Sequence, residues 1–180
     1  MSTKFFYALI LTAAGIVFQL LLFFSGFQTE KLATGQYLQW FGVVIAAVVL
    51  WFGISAVRDE RGDAGTTYGQ RVGAGFMISL YAGLMSAVYT YVHFKFINYD
   101  FADHMLVITR QKWAAAGLTA DQMGRAEGFT RTMLSPGVQA VLAPFFSIIV
   151  GLVCSLLIAA IVQPKRPAPA SAAPSVPPAA

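Results

Sequence analysis

The residues best suited to chemistry stand close together near the end of the third apolar segment. They are His93, Asp100, Asp103 and His104, and the chain has only these two histidines. Asp100 and His104 are four residues apart, so on a helix they share one face. A carboxylate beside an imidazole can bind zinc or exchange a proton. These residues are therefore the candidate metal or acid–base site, with Asp100, His104 and His93 as the candidate ligands.

A simpler interpretation explains the same side chains. Aspartate is favoured at a helix start because it accepts from free backbone N–H groups and faces the positive end of the helix dipole. His93 lies where an apolar segment meets water, which suits an interfacial hydrogen-bonding side chain. The sequence contains no HExxH pair, P-loop or complete dinucleotide-binding glycine pattern. We therefore predict a protein that is not an enzyme and that holds neither a cofactor nor a metal.

The composition is that of a membrane protein. Hydrophobic residues make up 57% of the chain and charged residues 11%, whereas roughly a quarter of the residues in a soluble domain are charged. The formal net charge is +4, but the basic residues stand singly or in pairs beside apolar runs. That arrangement fits lipid head groups better than nucleic acid. We expect the lipid bilayer as a partner and no nucleic acid.

Four apolar segments are long enough to cross a bilayer, since about 20 helical residues span the hydrocarbon core. They cover residues 5–27, 37–57, 72–97 and 138–162. The short connection between the first two predicts an antiparallel helical hairpin. The predicted fold class is an all-α integral membrane protein, with four transmembrane helices in an antiparallel bundle.

An amphipathic helix pair is predicted between spans 3 and 4, over residues 100–116 and 119–134. Thr119 and Gln122 have the spacing of a capping box at the start of the second helix. The membrane domain then covers residues 1–163. Residues 164–180 are rich in proline and alanine, which predicts a disordered tail because little apolar surface is available for a core.

Small residues recur at helical spacing on three of the spans. Such a face has little side-chain bulk, so a neighbouring backbone can approach closely. We predict that the spans pack through these faces. The positions are Gly75, Ser79, Gly83 and Ala87 on the third span, Gly42, Ala46 and Gly53 on the second, and Gly151, Ser155 and Ala159 on the fourth.

Aromatic and basic residues gather near the ends of the apolar segments, where amphipathic rings are favoured at the lipid–water boundary. We predict an interfacial position for Tyr37, Trp40, Trp51, Tyr89, Tyr91, His93, Lys95, Tyr99 and Trp113.

The link between the second and third spans alternates in sign. We predict solvated local ion pairs among its charged residues rather than a cation site, because the spacing of a calcium loop is lacking. These residues are Arg58, Asp59, Glu60, Arg61, Asp63 and Arg71.

The orientation follows from the basic residues beside the spans. Six Lys and Arg fall on each side of the four-span arrangement. Three of those on the side opposite the termini, Arg110, Lys112 and Arg125, lie away from the membrane ends and so weigh less in topology. We expect both termini in the cytoplasm.

The stretch from Tyr68 to Phe101 resembles a known family. Its features are the Tyr68-Gly69 entry, a glycine-containing span, the Val88-Tyr89 pair, and an exit at Asn98-Tyr99-Asp100-Phe101 where the family usually has Asn-Pro-Asp-Phe. The sequence is similar to the four-span bacterial membrane proteins of domain of unknown function 4199. The likeness extends over residues 5–162, and Tyr99 replaces the usual proline. It implies a bacterial inner-membrane protein and no activity, cofactor or catalytic residue.

Two functions from different classes remain open. The first is a non-enzymatic membrane subunit or assembly protein, whose amphipathic pair docks a membrane-protein partner or a second copy. The second is a small transporter or a lipid-handling protein, for which Gln19 and His93 are the polar residues in or near the spans. The first is preferred, because coupled transport usually requires a charged residue within a span.

Overall fold

The chain folds as a helical bundle, and the computed structural model describes residues 1–62 and 65–162. The helices are α1 (Thr3–Phe24), α2 (Leu32–Leu38), α3 (Phe41–Glu60), α4 (Tyr68–Val92), α5 (Phe101–Ala115), α6 (Ala120–Met133) and α7 (Pro136–Ile161). A π-helical turn, His93–Ile97, continues α4. Asp63 and the tail predicted to be disordered lie outside the described residues.

Four helical stretches are long and apolar enough to cross a membrane. They are Thr3–Phe24, Leu32–Glu60, Tyr68–Ile97 and Pro136–Ile161. The predicted fold class is confirmed, including the amphipathic pair, formed by α5 and α6, between the third and fourth spans. The chain is therefore a multi-pass membrane protein.

The first connection differs from the prediction. Helix α1 ends at Phe24 rather than at residue 27, because Gly26 adopts φ 78° and closes a Schellman turn. In that turn Phe27 N donates to Leu22 O at 2.9 Å. The following segment was expected to be a loop but forms α2, in which Gly35 is buried against the Phe27 carbonyl.

Helix α4 is the centre of the bundle, since it contacts α1, α3 and α7. Its small residues meet those of α7 reciprocally: Ser155 fills the space beside Gly75, and Ser79 fills the space beside Gly151. One turn further along, a Cβ on Gly83 would lie 3.0 Å from Pro144 Cα. Glycine therefore permits a backbone separation at these points that any side chain would increase.

Hydroxyl groups connect the same two helices without leaving polar atoms unpaired. Ser147 Oγ donates to Ser79 O at 3.1 Å, across the α4–α7 contact. Ser79 Oγ and Ser155 Oγ each donate to the carbonyl four residues earlier in their own helix. Apolar lipid tails give helices no hydrophobic reason to associate, so close packing and such hydrogen bonds hold the pair.

The remaining small residues lie at other contacts. Gly53 is buried where α3 meets α1 and α4, and a Cβ there would lie 2.7 Å from Ile78 Cδ1 and 3.1 Å from Tyr7 Cγ. Gly42 lies in ordinary contact range of Phe18. Ala159 is fully buried, whereas Ala46 and Ala87 are half-buried.

Arg71 corrects the prediction of a fully solvated link. It is only 6% exposed, and its guanidinium donates to Ala159 O at 3.2 Å and to Thr66 O at 2.6 Å. The third span begins four residues earlier than predicted, with Thr67 and Gln70 forming a capping box at the start of α4. Arg71 thus lies inside the helix, where its charge faces the negative end of the α7 dipole.

The α4–α7 contact yields a stability test. In Gly151→Val the new Cβ overlaps Ser79, so we expect a loss of about 1–3 kcal/mol of unfolding free energy, measured by SDS titration in detergent. Gly73→Val is the matched control, because a Cβ at Gly73 meets no atom within 4 Å. Equal unfolding midpoints for the two variants would contradict the packing described for this contact.

Helices α5 and α6 form a hairpin held mainly by charge. Arg110 pairs with Glu127 at 2.5 Å, and Arg131 pairs with Asp103 at 2.8 Å. The predicted capping box of Thr119 and Gln122 is present at the start of α6. No residue of α6 is buried, so apolar contact contributes little to the position of this helix.

The hairpin should respond to acid. The hydrogen bond and charge of Arg110 lower the pKa of the Glu127 carboxyl from its ordinary 4.5. A pKa lowered by folding stabilises the folded state above the ordinary value, and that stabilisation disappears as the pH falls through the folded-state pKa. Because both side chains reach solvent, the effect is modest and screened by salt.

We expect the α5–α6 distance to broaden as the pH is lowered below about 4.5, in low salt. Spin labels at Gln111 and Arg125, in a Cys154→Ser background, report that distance. Glu127→Gln should already show the broadened distribution at pH 7 and should lose most of the acid response. An acid response of full size in Glu127→Gln would show that other groups cause it.

Candidate functional site: a polar cleft at one end of the bundle

Polar side chains of several spans meet at the end of the bundle that carries the α5–α6 hairpin. Gln19 lies in the last two turns of α1, and Thr90 lies near the end of α4. Gln139 lies in the first turn of α7, and Gln39 is the residue after α2. Because adjacent spans run antiparallel, these four positions share one membrane boundary.

Two adjoining cavities form the site, which we term the polar cleft. The inner cavity has a volume of about 180 Å³ and lies between α1 and α4. The outer cleft has a volume of about 420 Å³. Gln19 and Thr90 line both, so the two spaces adjoin at these side chains.

The lining of the polar cleft combines amides, hydroxyls, an imidazole and apolar side chains. The inner cavity is lined by Gly15, Ile16, Gln19, Ser86, Tyr89, Thr90 and His93. The outer cleft is lined by Gln19, Gln39, Thr90, Phe94, Phe101, Met105, Leu134, Gln139, Leu142, Ala143 and Phe146.

His93 anchors a buried hydrogen-bond network behind the inner cavity. Its Nε2 lies 2.9 Å from Gln28 Oε1, and its Nδ1 lies 3.1 Å from the Tyr89 hydroxyl. Asn98 Nδ2 donates to the same Gln28 oxygen at 3.3 Å. An amide oxygen only accepts, so we assign the hydrogen of a neutral imidazole to Nε2. Tyr89 then donates to Nδ1, and both ring nitrogens are engaged.

Gln28 is the junction of this network, although it lies in the turn after α1. It is 1% exposed, and its Nε2 has no hydrogen-bond partner among the described residues. Its oxygen is shared by His93 and Asn98. The α1–α2 turn is thereby tied to the end of α4.

The π-helical turn gives His93 and Asn98 their positions. Asn98 N donates to His93 O at 2.7 Å. This hydrogen bond joins residues five apart instead of four, so the helical turn at the end of α4 is wider than an α-helical turn. Phe101, at the start of α5, is 7% exposed, and its ring centroid lies 4.7 Å from that of Phe94. Asn98 and Phe101 thus fix where the third span leaves the membrane.

The candidate metal residues are not brought together. His104 Nδ1 lies 2.9 Å from the backbone oxygen of Asp100, Asp103 pairs with Arg131, and His93 belongs to the Gln28 network. Within residues 1–62 and 65–162, no group of three or more His, Cys, Asp or Glu is placed to hold a metal ion.

The predicted interfacial residues fall into three classes of exposure: exposed, half-buried and fully buried. Tyr37, Trp40 and Tyr99 are largely exposed, and Lys95 Nζ donates to the exposed Tyr91 hydroxyl at 3.0 Å. His93 differs from this group because it is fully buried. Among the others, Trp51 is exposed, while Tyr89 and Trp113 are half-buried.

Gln19 and His93 are predicted from the sequence, whereas Gln28, the partner of His93, is not. Nothing in the sequence marks Gln28, because a polar residue in a short turn is normally solvated. Asn98 did carry a signal, since it is the first residue of the motif Asn98-Tyr99-Asp100-Phe101. The Thr67 capping box was also visible in the sequence, at the same spacing as the one at Thr119.

Comparison with protein families identifies the chain. The family model described as "Protein of unknown function (DUF4199)" matches residues 7–163. The chain belongs to this family. No curated protein and no solved structure matches it. In this DUF4199 protein, the motif Asn98-Tyr99-Asp100-Phe101 supplies one member of the His93 network and one wall of the outer cleft.

The Gln28 junction can be tested with a double-mutant cycle. Gln28→Leu leaves the buried His93 Nε2–H without its acceptor, so we expect a loss of about 1–3 kcal/mol of unfolding free energy. Gln28→Leu/His93→Phe removes both partners and should be less destabilised than the sum of the single variants. SDS unfolding measures all three against wild type, and strict additivity would refute the network.

Proposed function

We propose that this DUF4199 protein is a non-enzymatic membrane protein that binds a molecule from the lipid phase in the polar cleft, as a small transporter or lipid-handling protein does. The observation that carries the proposal is that the two cavities adjoin at the membrane boundary and share polar lining residues. Gln19 and Thr90 line both, so a ligand entering the outer cleft meets hydrogen-bonding groups deeper between α1 and α4.

The buried His93 network supports binding rather than catalysis. A general base must offer a free nitrogen within hydrogen-bond reach of its substrate. Both ring nitrogens of His93 already face protein partners, Tyr89 and Gln28. His93 therefore serves to hold one wall of the inner cavity in place.

A second candidate is a membrane subunit or assembly protein, whose partner is another membrane protein or a second copy. Helix α6 favours it, because Phe129 is 67% exposed on a helix that buries no residue. The small-residue faces favour it less than expected, since those of α4 and α7 are occupied by each other. Docking would therefore fall on the α5–α6 hairpin.

We further propose that the protein lies in the bacterial inner membrane with both termini in the cytoplasm. The support is the distribution of basic residues. Arg58 and Arg61 stand at the end of α3, and Lys4 stands in the first turn of α1. On the other side, Arg110, Lys112 and Arg125 lie away from the membrane ends and so weigh less in topology.

The test is co-purification from native membranes after brief in-cell crosslinking, followed by mass spectrometry of the bound lipids and proteins. Gly15→Leu places a side chain in the inner cavity, where a Cβ meets no atom within 4 Å. Gly73→Leu is the control, since it also enters open space but does not line the polar cleft.

We expect wild type and Gly73→Leu to retain a common small molecule that Gly15→Leu loses, with equal membrane levels of all three. The same bound molecules in all three proteins would count against the proposal. A stoichiometric protein partner that is retained by Gly15→Leu, without any bound small molecule, would instead support the subunit function.

A further inference from the structure

We infer that the polar cleft selects an uncharged amphiphile, a molecule with a hydrogen-bonding neutral head and an apolar chain, and discriminates against lipids with ionised heads. This inference rests on the proposed function and names its ligand class. It follows from the chemistry of the lining, from the position of the cleft in the membrane, and from the His93 network.

The lining is polar without being charged. Among the residues that the structure describes, none that lines either cavity is an Asp, Glu, Lys or Arg. The hydrogen-bonding groups are instead the amides of Gln19, Gln39 and Gln139 and several hydroxyls. An amide both donates and accepts, so hydroxyl, ketone, ester and amide heads can all be satisfied there.

An ionised head would be poorly accommodated in such a site. Moving an isolated charge from water into an apolar environment is very costly unless an opposite charge compensates it. That end of the bundle does carry cations, namely Lys31, Lys95, Arg110, Lys112, Arg125 and Arg131. None of them lines the polar cleft, so a phosphate or carboxylate there would lack a partner.

The neutral imidazole assigned to His93 adds no charge to the wall. Its Nε2–H donates to Gln28 Oε1, and its Nδ1 accepts from the Tyr89 hydroxyl. With its hydrogen directed to His93, the Tyr89 hydroxyl keeps an oxygen lone pair, and Tyr89 lines the inner cavity. The wall thus offers an acceptor to a hydroxyl or amide head.

The apolar part of the ligand has its own surface. Phe94, Phe101 and Phe146 line the outer cleft beside Leu142. Phe146 is 65% exposed on a membrane-spanning helix, so this side of the cleft faces lipid. The apolar chain of a ligand that leaves the cleft past Phe146 therefore stays in the hydrocarbon phase. An amphiphile fits such a cleft better than a fully water-soluble solute.

The experiment uses the full-length protein in nanodiscs and three probes with the same oleoyl chain. The probes are monooleoylglycerol, which is uncharged, lyso-oleoylphosphatidylcholine, which is zwitterionic, and lyso-oleoylphosphatidylglycerol, which is anionic. They are supplied as an equimolar mixture, and native mass spectrometry measures which are retained. Gly15→Leu and Gly73→Leu are treated identically.

We expect wild type to retain monooleoylglycerol about tenfold over either lysophospholipid, which corresponds to about 1.4 kcal/mol. Gly15→Leu should lose this preference and Gly73→Leu should keep it. His93→Lys introduces a charge into the wall of the inner cavity and should shift retention toward the anionic probe.

Three outcomes would overturn the inference, and they separate it from the proposed function. Equal retention of all three probes, lost in Gly15→Leu, would leave the cleft as a lipid site and refute only the selection by charge. A preference for monooleoylglycerol that Gly15→Leu does not alter would place the selection elsewhere. If no probe is retained above its level in empty nanodiscs, both the inference and binding of a lipid-phase molecule fail.

Discussion

The close approach of α4 and α7 is the contact on which the rest of the bundle depends. Gly75 and Gly151 each receive a serine from the opposite helix, and Ser147 bonds across to Ser79. An apolar helix gains no hydrophobic free energy when it replaces lipid contacts by contacts with another helix. The close approach of the two backbones, with its dispersion contacts, must therefore stabilise the association. With these two helices locked, α1 and α3 pack on the remaining sides of α4.

The polar cleft follows from that arrangement. The small residues of α4 and α7 bring these two helices close together. Toward the hairpin end, Ser86, Thr90 and Gln139 do not form such a tight contact but line the two cavities. The His93 network holds the α1–α2 turn against the end of α4. Tight packing in the middle of the membrane and a hydrogen-bonded junction at its boundary leave the space between them open.

Much of the fold was readable from local pattern. The four spans, the amphipathic pair and the Thr119 capping box depend on residues close in sequence, and the structure contains them. The missed features involve residues distant in sequence. The alternating charges around Arg71 predict a solvated link, but the carbonyl that Arg71 bonds belongs to Ala159, 88 residues away. Gln28 had the composition of a loop residue, yet its partners His93 and Asn98 are 65 and 70 residues away.

The sequence by itself determined that this is a membrane protein and that four of its helical stretches are long and apolar enough to cross the bilayer. Hydropathy, segment length and helical periodicity depend only on residues that are close in sequence. They can therefore be read without three-dimensional information. Only the tertiary structure decided that Gln19, Thr90 and His93 line one cavity, and that His93 is buried rather than interfacial. Those facts depend on which face of α1 is turned toward α4. The packing of the two helix surfaces fixes that orientation, and no local sequence pattern encodes it.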